Sequence, residues 1–187
     1  MQKRFLFFSI VFFFAAIPSW AAQTCRTASI TATTSHLVSK AKTDGTVADS
    51  KTRVMWKRCP EGFNYISSNN TCSKAGAIEY SWTNALALPV NANSSKFSGY
   101  ENWRLPNVKE LQSIVEEQCY DPAVNLTVFP DVTAAGLKNI WSNSPSAVGT
   151  GSSWYIDFYY GDMLIASRSA DMRGVRLVRD CTGTECD

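Results

Sequence analysis

The sequence predicts an α+β fold in which two helices pack on antiparallel sheets and long loops connect the elements. One observation is a helix start at Asn107, an N-cap residue that Glu110 follows in a capping-box pattern. A second is the alternation of two side-chain sets over residues 154–160, which is typical of a strand with one buried face. A third is the segregation of the helices from the later strands, which is typical of α+β proteins.

The first 21 residues have the three parts of a secretory signal peptide. Lys3 and Arg4 precede an apolar run over 5–17, and Ser19 and Ala21 occupy the −3 and −1 positions of a cleavage site. The apolar run is shorter than the roughly 20 residues that a membrane-spanning helix needs, which disfavours the alternative of an uncleaved anchor. Removing 21 residues from 187 leaves a mature chain of 166, in which we expect no membrane span.

Cleavage also removes the net charge of +2. The whole chain has 18 basic and 16 acidic residues, and two of the basic residues belong to the signal peptide. A neutral chain lacks the strongly basic surface that nucleic-acid-binding proteins use. The sequence therefore predicts a secreted or periplasmic protein that does not bind nucleic acid.

Six cysteines lie in the mature chain, at Cys25, Cys59, Cys72, Cys119, Cys181 and Cys186. An even number behind a signal peptide predicts disulfides formed in an oxidising compartment. Cys59 and Cys72 flank a loop rich in Gly, Asn and Ser, and we expect them to pair with each other. The pairing of the other four is left open. Zinc is disfavoured, because the sequence has no Cys-x-x-Cys and its single histidine, His36, lies in a Thr/Ser-rich stretch.

The first half of the mature chain contains few clear elements. Residues 22–43 hold few large apolar side chains and are expected to form a polar leader segment or an outlying hairpin, outside the core. A short buried strand is predicted over 54–56 and a helix over 80–88, which Ser81 can cap. Residues 91–99 are predicted to form a polar loop.

The second half begins with the helix that Asn107 caps, which is expected to end near Gln118. A strand over 154–160 follows, with a turn at Gly161 and a return strand over 163–166. The final strand is predicted over 174–179.

Several short motifs occur along the chain in a fixed order: Asp44-Gly45-Thr46-Val47, Met55-Trp56, Trp82-Thr83-Asn84-Ala85-Leu86, Gly99-Tyr100-Glu101-Asn102-Trp103-Arg104-Leu105-Pro106-Asn107-Val108-Lys109-Glu110-Leu111, Phe129-Pro130, Trp141-Ser142-Asn143-Ser144-Pro145 and Val175-Arg176-Leu177-Val178-Arg179. Together they resemble the C-terminal domain of the Legionella collagen-like adhesin. The resemblance covers residues 44–180 and leaves 181–187 as a short Cys-containing tail. Arg53-Val54 departs from the Gly-Leu that usually precedes Met-Trp.

The resemblance implies a C-type-lectin-like fold, related to the formylglycine-generating-enzyme-like domains, in which the terminal strands pair and a loop-rich half presents ligands. Some relatives are adhesins that bind sulfated polysaccharide. The fold alone does not decide the function. Four tryptophans fall inside the motifs and are expected in the core: Trp56, Trp82, Trp103 and Trp141. Arg176 and Arg179 are expected to form structural ion pairs.

No catalytic residue, metal site or cofactor is predicted. His36 lies outside the region of resemblance, and complete pairing of the cysteines would leave no thiol nucleophile. Glu116 and Glu117 would point about 100° apart on a helix, so we expect a solvated face and not an acid/base pair. The Glu-Pro-Asn, Gln-Pro-Asp and Trp-Asn-Asp patterns of calcium-dependent lectins do not occur, and the aspartates of the strand region are scattered: Asp157, Asp162 and Asp171.

The candidate ligand-binding residues lie in and after the predicted 154–160 strand: Tyr155, Asp157, Tyr159, Arg168 and Arg173. Tyrosine rings stack on sugar faces, and guanidinium groups bind sulfate or carboxylate. The alternative is an ordinary solvated strand face.

The sequence therefore favours a non-catalytic binding domain that acts in adhesion or ligand recognition at the bacterial envelope, with a glycan preferred over a protein of the envelope or of a host surface. A structural or interaction subunit of a surface appendage or envelope complex is the alternative. An enzyme of the formylglycine-generating type is the least favoured. The sequence leaves the oligomeric state open.

Overall fold

The computed structural model describes residues 23–76, 78–130 and 138–186. The predicted signal peptide lies outside the described residues. The described part is a mixed α+β structure of small antiparallel sheets and short helices. None of its helices has the length and apolar character needed to cross a bilayer.

Ten strands are present in the described residues: β1 (Thr24–Cys25), β2 (Thr46–Asp49), β3 (Val54–Lys57), β4 (Phe63–Ile66), β5 (Thr71–Lys74), β6 (Cys119–Tyr120), β7 (Asn139–Pro145), β8 (Ser152–Asp157), β9 (Asp162–Ser167) and β10 (Val178–Asp180). The same residues contain three α-helices and three short 3-10 helices: α1 (Trp82–Ala87), α2 (Pro89–Ser94) and α3 (Val108–Ser113), with 3-10 turns at Ser35–Lys40, Phe97–Gly99 and Gly183–Glu185.

The central sheet joins the two ends of the domain. Its order is β10-β3-β2, and Trp56 of β3 lies between Val47 of β2 and Val178 of β10. All residues of β2 and β3 are buried. The apolar run Val54–Trp56 predicts this burial for β3. This sheet positions the last strand of the domain against one of the first.

A second sheet, of order β7-β8-β9, carries the hairpin predicted from residues 154–166. The first strand of the hairpin ends at Asp157, three residues earlier than predicted, because the turn begins there. Gly161 completes the turn with φ +87°, and a Cβ at this position would lie 2.6 Å from the Val115 Cγ1. Only glycine fits such a conformation and approach without strain. Both α1 and α3 pack against β7, and α3 also packs against β8.

Local sequence signals correctly predict where the helix α3 begins. Asn107 caps α3 in a full capping box, accepting from the Glu110 N–H at 2.9 Å while its own N–H donates to the Glu110 carboxylate at 2.7 Å. This helix ends at Ser113, earlier than the predicted Gln118. The predicted 91–99 loop is partly wrong as well, because Pro89 starts the helix α2 at a position where proline is favoured.

The core consists of two clusters of buried side chains. The first surrounds Trp56 and includes Phe129, Ile140 and Ile156, and the second surrounds Trp103 and Trp141. These three tryptophans are at most 2% exposed, so their predicted place in the core is confirmed. Trp82 packs against the second cluster and is partly buried.

Within the predicted leader segment 22–43, the described residues 23–43 do contribute to the core, and the prediction that they lie outside it is wrong. Leu37 is fully buried in the first cluster. The buried Glu116 carboxylate accepts hydrogen bonds from the backbone N–H groups of Thr33 at 2.9 Å and Thr34 at 3.0 Å. The expected solvated face at Glu116 is therefore also wrong, because this side chain fastens the segment to the domain.

Three disulfides join all six cysteines. The predicted Cys59–Cys72 bond is confirmed, and it encloses most of the hairpin β4–β5 that the sequence analysis missed. The other two bonds are Cys25–Cys119, which are 94 residues apart, and Cys181–Cys186, which are five residues apart. The first of these covalently ties the start of the described chain to its middle.

Candidate binding site

The five predicted ligand-binding residues do not form one surface. Tyr155 and Asp157 lie in β8, Tyr159 in the turn that follows, Arg168 directly after β9, and Arg173 before β10. The structure brings Arg173 onto Tyr155, and it joins Asp157 to Tyr159. Arg168 contacts a different ring, that of Trp82.

Tyr155 belongs to the core and not to a solvated strand face. It is 9% exposed and packs edge-on against Trp141, with the ring centroids 6.1 Å apart. The Arg173 guanidinium covers the Tyr155 ring at 4.5 Å and also lies 3.6 Å from the Asp171 carboxylate. The ring and its cation are therefore occupied by contacts within the protein.

Arg168 is engaged in the same way. Its guanidinium carbon lies 4.3 Å from the Trp82 ring centre, and its Nε donates to the Ser153 hydroxyl at 2.7 Å. These two groups, Arg173–Tyr155–Trp141 and Arg168–Trp82, are separate, and we refer to both together as the guanidinium–aromatic cluster. A ligand could bind these side chains only by replacing the contacts within each group.

Asp157 shapes the hairpin turn. Its carboxylate accepts from the Tyr159 N–H at 2.8 Å, and its carbonyl accepts from the Gly161 N–H at 2.8 Å. The Lys138 ammonium lies 4.4 Å from the Tyr159 ring centre and forms an ion pair with Asp121. The charge of Asp121, followed by that of Tyr160, raises the pKa of the Tyr159 phenol.

Three aromatic rings gather at this turn, and two of them are exposed. Tyr120 and Tyr160 stack with their centroids 6.4 Å apart and their planes at 24°, and Tyr159 meets Tyr160 edge-on at 4.4 Å. Tyr120 is 37% exposed and Tyr160 is 62% exposed. We call these three residues the tyrosine cluster.

A cleft of about 310 Å³ opens beside the tyrosine cluster. It offers two aromatic rings, a guanidinium, a carboxylate and an amide, from these lining residues: Arg26, Ile30, Glu117, Gln118, Cys119, Tyr120 and Tyr160. The Gln118 amide is held in place because its Nε2 donates to the Ile30 carbonyl at 2.5 Å. Flat aromatic surface beside such hydrogen-bonding groups is the composition of a small-molecule site.

Distant parts of the chain build this cleft. β1 pairs with β6, and the Cys25–Cys119 disulfide crosses the same strands, so Arg26 and Tyr120 lie on neighbouring segments. The Asp121 N–H donates to the Tyr159 carbonyl at 2.8 Å, which fixes the hairpin turn beside β6. The position of the cleft therefore depends on pairing between residues about 95 positions apart in sequence.

Sequence reasoning found only Tyr159 of the tyrosine cluster. The alternating pattern predicted that the strand continues through residue 160, but the strand ends at Asp157 and the turn carries Tyr160 to the surface. Tyr120 and Arg26 each adjoin a cysteine, and the Cys25–Cys119 pairing was the signal that would have placed them together.

Two further predictions concern charged side chains. The predicted ion pair of Arg179 is confirmed, with Glu185 at 3.0 Å. That of Arg176 is wrong, because this side chain is 1% exposed and its Nη1 donates to the backbone carbonyls of Lys57 and Arg58. Burial lowers the pKa of the Arg176 guanidinium.

In the described part of the chain, no three His, Cys, Asp or Glu side chains are arranged to hold a metal ion.

Comparison with protein families places most of the chain in a known family. A family model described as the Lcl C-terminal domain matches residues 45–179. Comparison with curated proteins finds no match.

Proposed function

Because the chain belongs to the Lcl C-terminal domain family, we propose that it is a non-catalytic binding domain with a C-type-lectin-like fold. Its role is adhesion or ligand recognition at the bacterial envelope, as a secreted or periplasmic protein. Three disulfides support a location in an oxidising compartment. The ligand is a glycan, and the tyrosine cluster is the site.

The observation that carries this proposal is the pair of stacked, exposed rings of Tyr120 and Tyr160 beside a polar cleft. A contiguous patch of exposed aromatic surface marks an interaction site, and tyrosine rings stack on the apolar faces of sugars. The cleft volume lies at the lower end of the roughly 300–1,000 Å³ typical of ligand sites. It therefore fits the terminal part of a glycan.

The charges of the cleft favour an uncharged glycan over a sulfated one. One guanidinium, from Arg26, is accompanied by one carboxylate, from Glu117. The arginines that would bind sulfate, Arg168 and Arg173, already contact protein rings and hydrogen-bond partners. The sulfated-ligand role that the resemblance implies therefore has weak support in this chain.

A glycan array with the purified, disulfide-bonded protein tests the proposal. We expect Tyr160→Ala to weaken binding about two- to tenfold, since an aromatic stacking contact is worth about 0.5–1.5 kcal/mol. Tyr160→Phe is the matched control, because it keeps the ring and removes only the hydroxyl. Binding should change little with added salt. The proposal fails if no glycan binds, or if Tyr160→Ala binds as well as the unaltered protein.

The absence of catalysis is part of the proposal. Its support is that all six cysteines are in disulfides, with no free thiol for chemistry of the formylglycine-generating type. Titration of the native protein with a thiol reagent tests this point. Free thiol in the folded protein would revive the enzyme hypothesis.

An interaction subunit is the second candidate function, and the exposed strand β9 favours it. Met163, Leu164 and Ile165 are 47%, 40% and 38% exposed although all three are large and apolar. Co-purification with an envelope component, together with an empty glycan array, would favour this function over glycan binding.

A further inference from the structure

Strand β9 is an open edge of its sheet. It pairs with β8 on one side, and among the described residues the sheet order β7-β8-β9 has no strand on the other side. The consecutive residues Met163, Leu164 and Ile165 put exposed apolar side chains on both faces of this edge. Natural edge strands are commonly protected by lysine, proline or a bulge, and these three positions have none.

The hydrogen-bond pattern shows which backbone groups face outward. The Arg168 N–H donates to the Gly151 carbonyl at 2.8 Å, so this N–H points toward the start of β8, whereas the Arg168 carbonyl accepts from the Trp82 N–H at 3.3 Å. In an antiparallel ladder the direction alternates along the strand. The groups of Met163, Ile165 and Ser167 therefore point away from β8.

One end of the open edge is closed by the protein itself. The Ser167 N–H donates to the Asp171 carboxylate at 2.8 Å, and the Ser167 carbonyl accepts from the Asp171 N–H at 3.2 Å. This leaves the N–H and C=O groups of Met163 and Ile165 as the outward-facing groups of the edge. They are two residues apart, which is the spacing that an antiparallel partner strand requires.

We propose that β9 pairs with β9 of a second copy of this chain about a two-fold axis at Leu164. In this register Met163 and the partner's Ile165 exchange two hydrogen bonds, and the symmetric pair exchanges two more. The two sheets join into one sheet of six strands. An isologous contact of this kind closes on itself and forms a dimer, not a filament.

The side chains support a second copy as the occupant. The axis places Leu164 against the partner's Leu164, and Met163 against the partner's Ile165 on the opposite face, so each exposed apolar residue meets another. The edge is thus complementary to itself in apolar character and in the spacing of its outward-facing backbone groups.

Sedimentation analysis of the purified, disulfide-bonded protein over a wide concentration range tests the proposal. We expect a reversible dimer, and a monomer for Leu164→Lys, which places two ammonium groups opposite each other at the axis. Met172→Lys is the matched control, since Met172 is 46% exposed and lies outside β9. A monomer at every concentration would overturn the proposal, as would a Leu164→Lys protein that still dimerises.

Cross-linking tests the register without depending on a charge. Residues that face each other in a non-hydrogen-bonded pair have Cα atoms about 4.5 Å apart, which is within disulfide range. We therefore expect Leu164→Cys to form a covalent dimer on mild oxidation, whereas Met172→Cys stays monomeric. Equal cross-linking of the two variants would contradict the two-fold axis. The result does not depend on glycan binding, so it can fail while the proposed function stands.

Discussion

The guanidinium–aromatic cluster and the tyrosine cluster contain similar residues and differ in access. In the first, Arg173 covers Tyr155, which is 9% exposed. In the second, Tyr160 is 62% exposed, and its ring contacts other tyrosines. An arginine and an aromatic ring can therefore bind a ligand only when the protein does not already cover the face of the ring. The five residues selected from sequence satisfied the composition of a glycan site but mostly not this condition.

The largest expected effect comes from removing the Cys25–Cys119 disulfide, which lies beside the tyrosine cluster. Replacing both cysteines by alanine should lower the free energy of unfolding by about 4 kcal/mol, because the bond closes a loop of nearly 100 residues. Glycan binding should be lost as well, since the cleft lies across the linked strands. Urea unfolding and the glycan array measure the two effects.

The Cys181–Cys186 bond provides the control for this experiment. It closes a loop of only five residues, so its removal should cost clearly less stability and should leave glycan binding intact. Equal losses from the two double variants would show that the cleft has no special dependence on the first bond.

Tyr155→Ala should destabilise the protein by about 3 kcal/mol, the cost of removing a large buried aromatic side chain. Tyr160→Ala should change stability by less than about 0.5 kcal/mol, because this side chain is mostly exposed. Urea unfolding of both variants measures the contrast. Similar losses would mean that the two clusters do not differ in the way described.

The buried Glu116 and its exposed neighbour Glu117 differ in access in a similar way, and this difference should appear in the pH dependence of stability. Burial acts to raise the pKa of Glu116, but hydrogen bonds from Thr34, Thr33 and Gln118 outweigh it, so the pKa lies below the ordinary value of 4.5. A lowered pKa means that the ionised form stabilises the fold above the ordinary value. This stabilisation is lost as the pH falls through the lowered pKa.

Glu116→Gln should therefore cost about 2 kcal/mol at neutral pH, the usual contribution of hydrogen bonds to a charged group. It should also flatten the acid limb of the stability profile measured by urea unfolding at several pH values. Glu117→Gln is the matched control, because Glu117 is exposed and next in sequence. A flat profile in the unaltered protein would contradict the role given to Glu116.

The smallest effect concerns Arg168. Arg168→Ala should lower stability by about 1 kcal/mol through the lost contact with Trp82. It should leave glycan binding unchanged, since the tyrosine cluster is the proposed site. Loss of binding in this variant would return the site to the residues first selected from sequence.

Features decided by neighbouring residues were predictable from sequence. The capping box of Asn107, the hairpin from β8 to β9 and the short disulfide loop of Cys59 depend on signals a few residues apart. The end of α3 was not predictable in this way, because Glu116 leaves the helical pattern to bind Thr33 and Thr34, more than 80 positions away.

The candidate site was less predictable than the fold for the same reason. Tyr120 and Tyr160 meet because the hairpin turn docks on β6, and Arg26 joins them through the pairing of β1 with β6 and the Cys25–Cys119 bond. None of these residues stands in a motif, and their sequence neighbours give no sign that they are exposed. Pairing of distant segments, which a single sequence does not reveal, creates the site.

The Cys25–Cys119 bond also determines how the domain would carry a mechanical load. A pull applied at Gln23 passes through Cys25 directly to Cys119 and bypasses residues 26–118, which form a covalent loop. That force arrives next to Tyr120, at the edge of the proposed binding cleft. An attachment held between the N-terminal side and a bound glycan would therefore be loaded across one covalent bond and the two short strands β1 and β6. The central sheet would stay outside the path of tension.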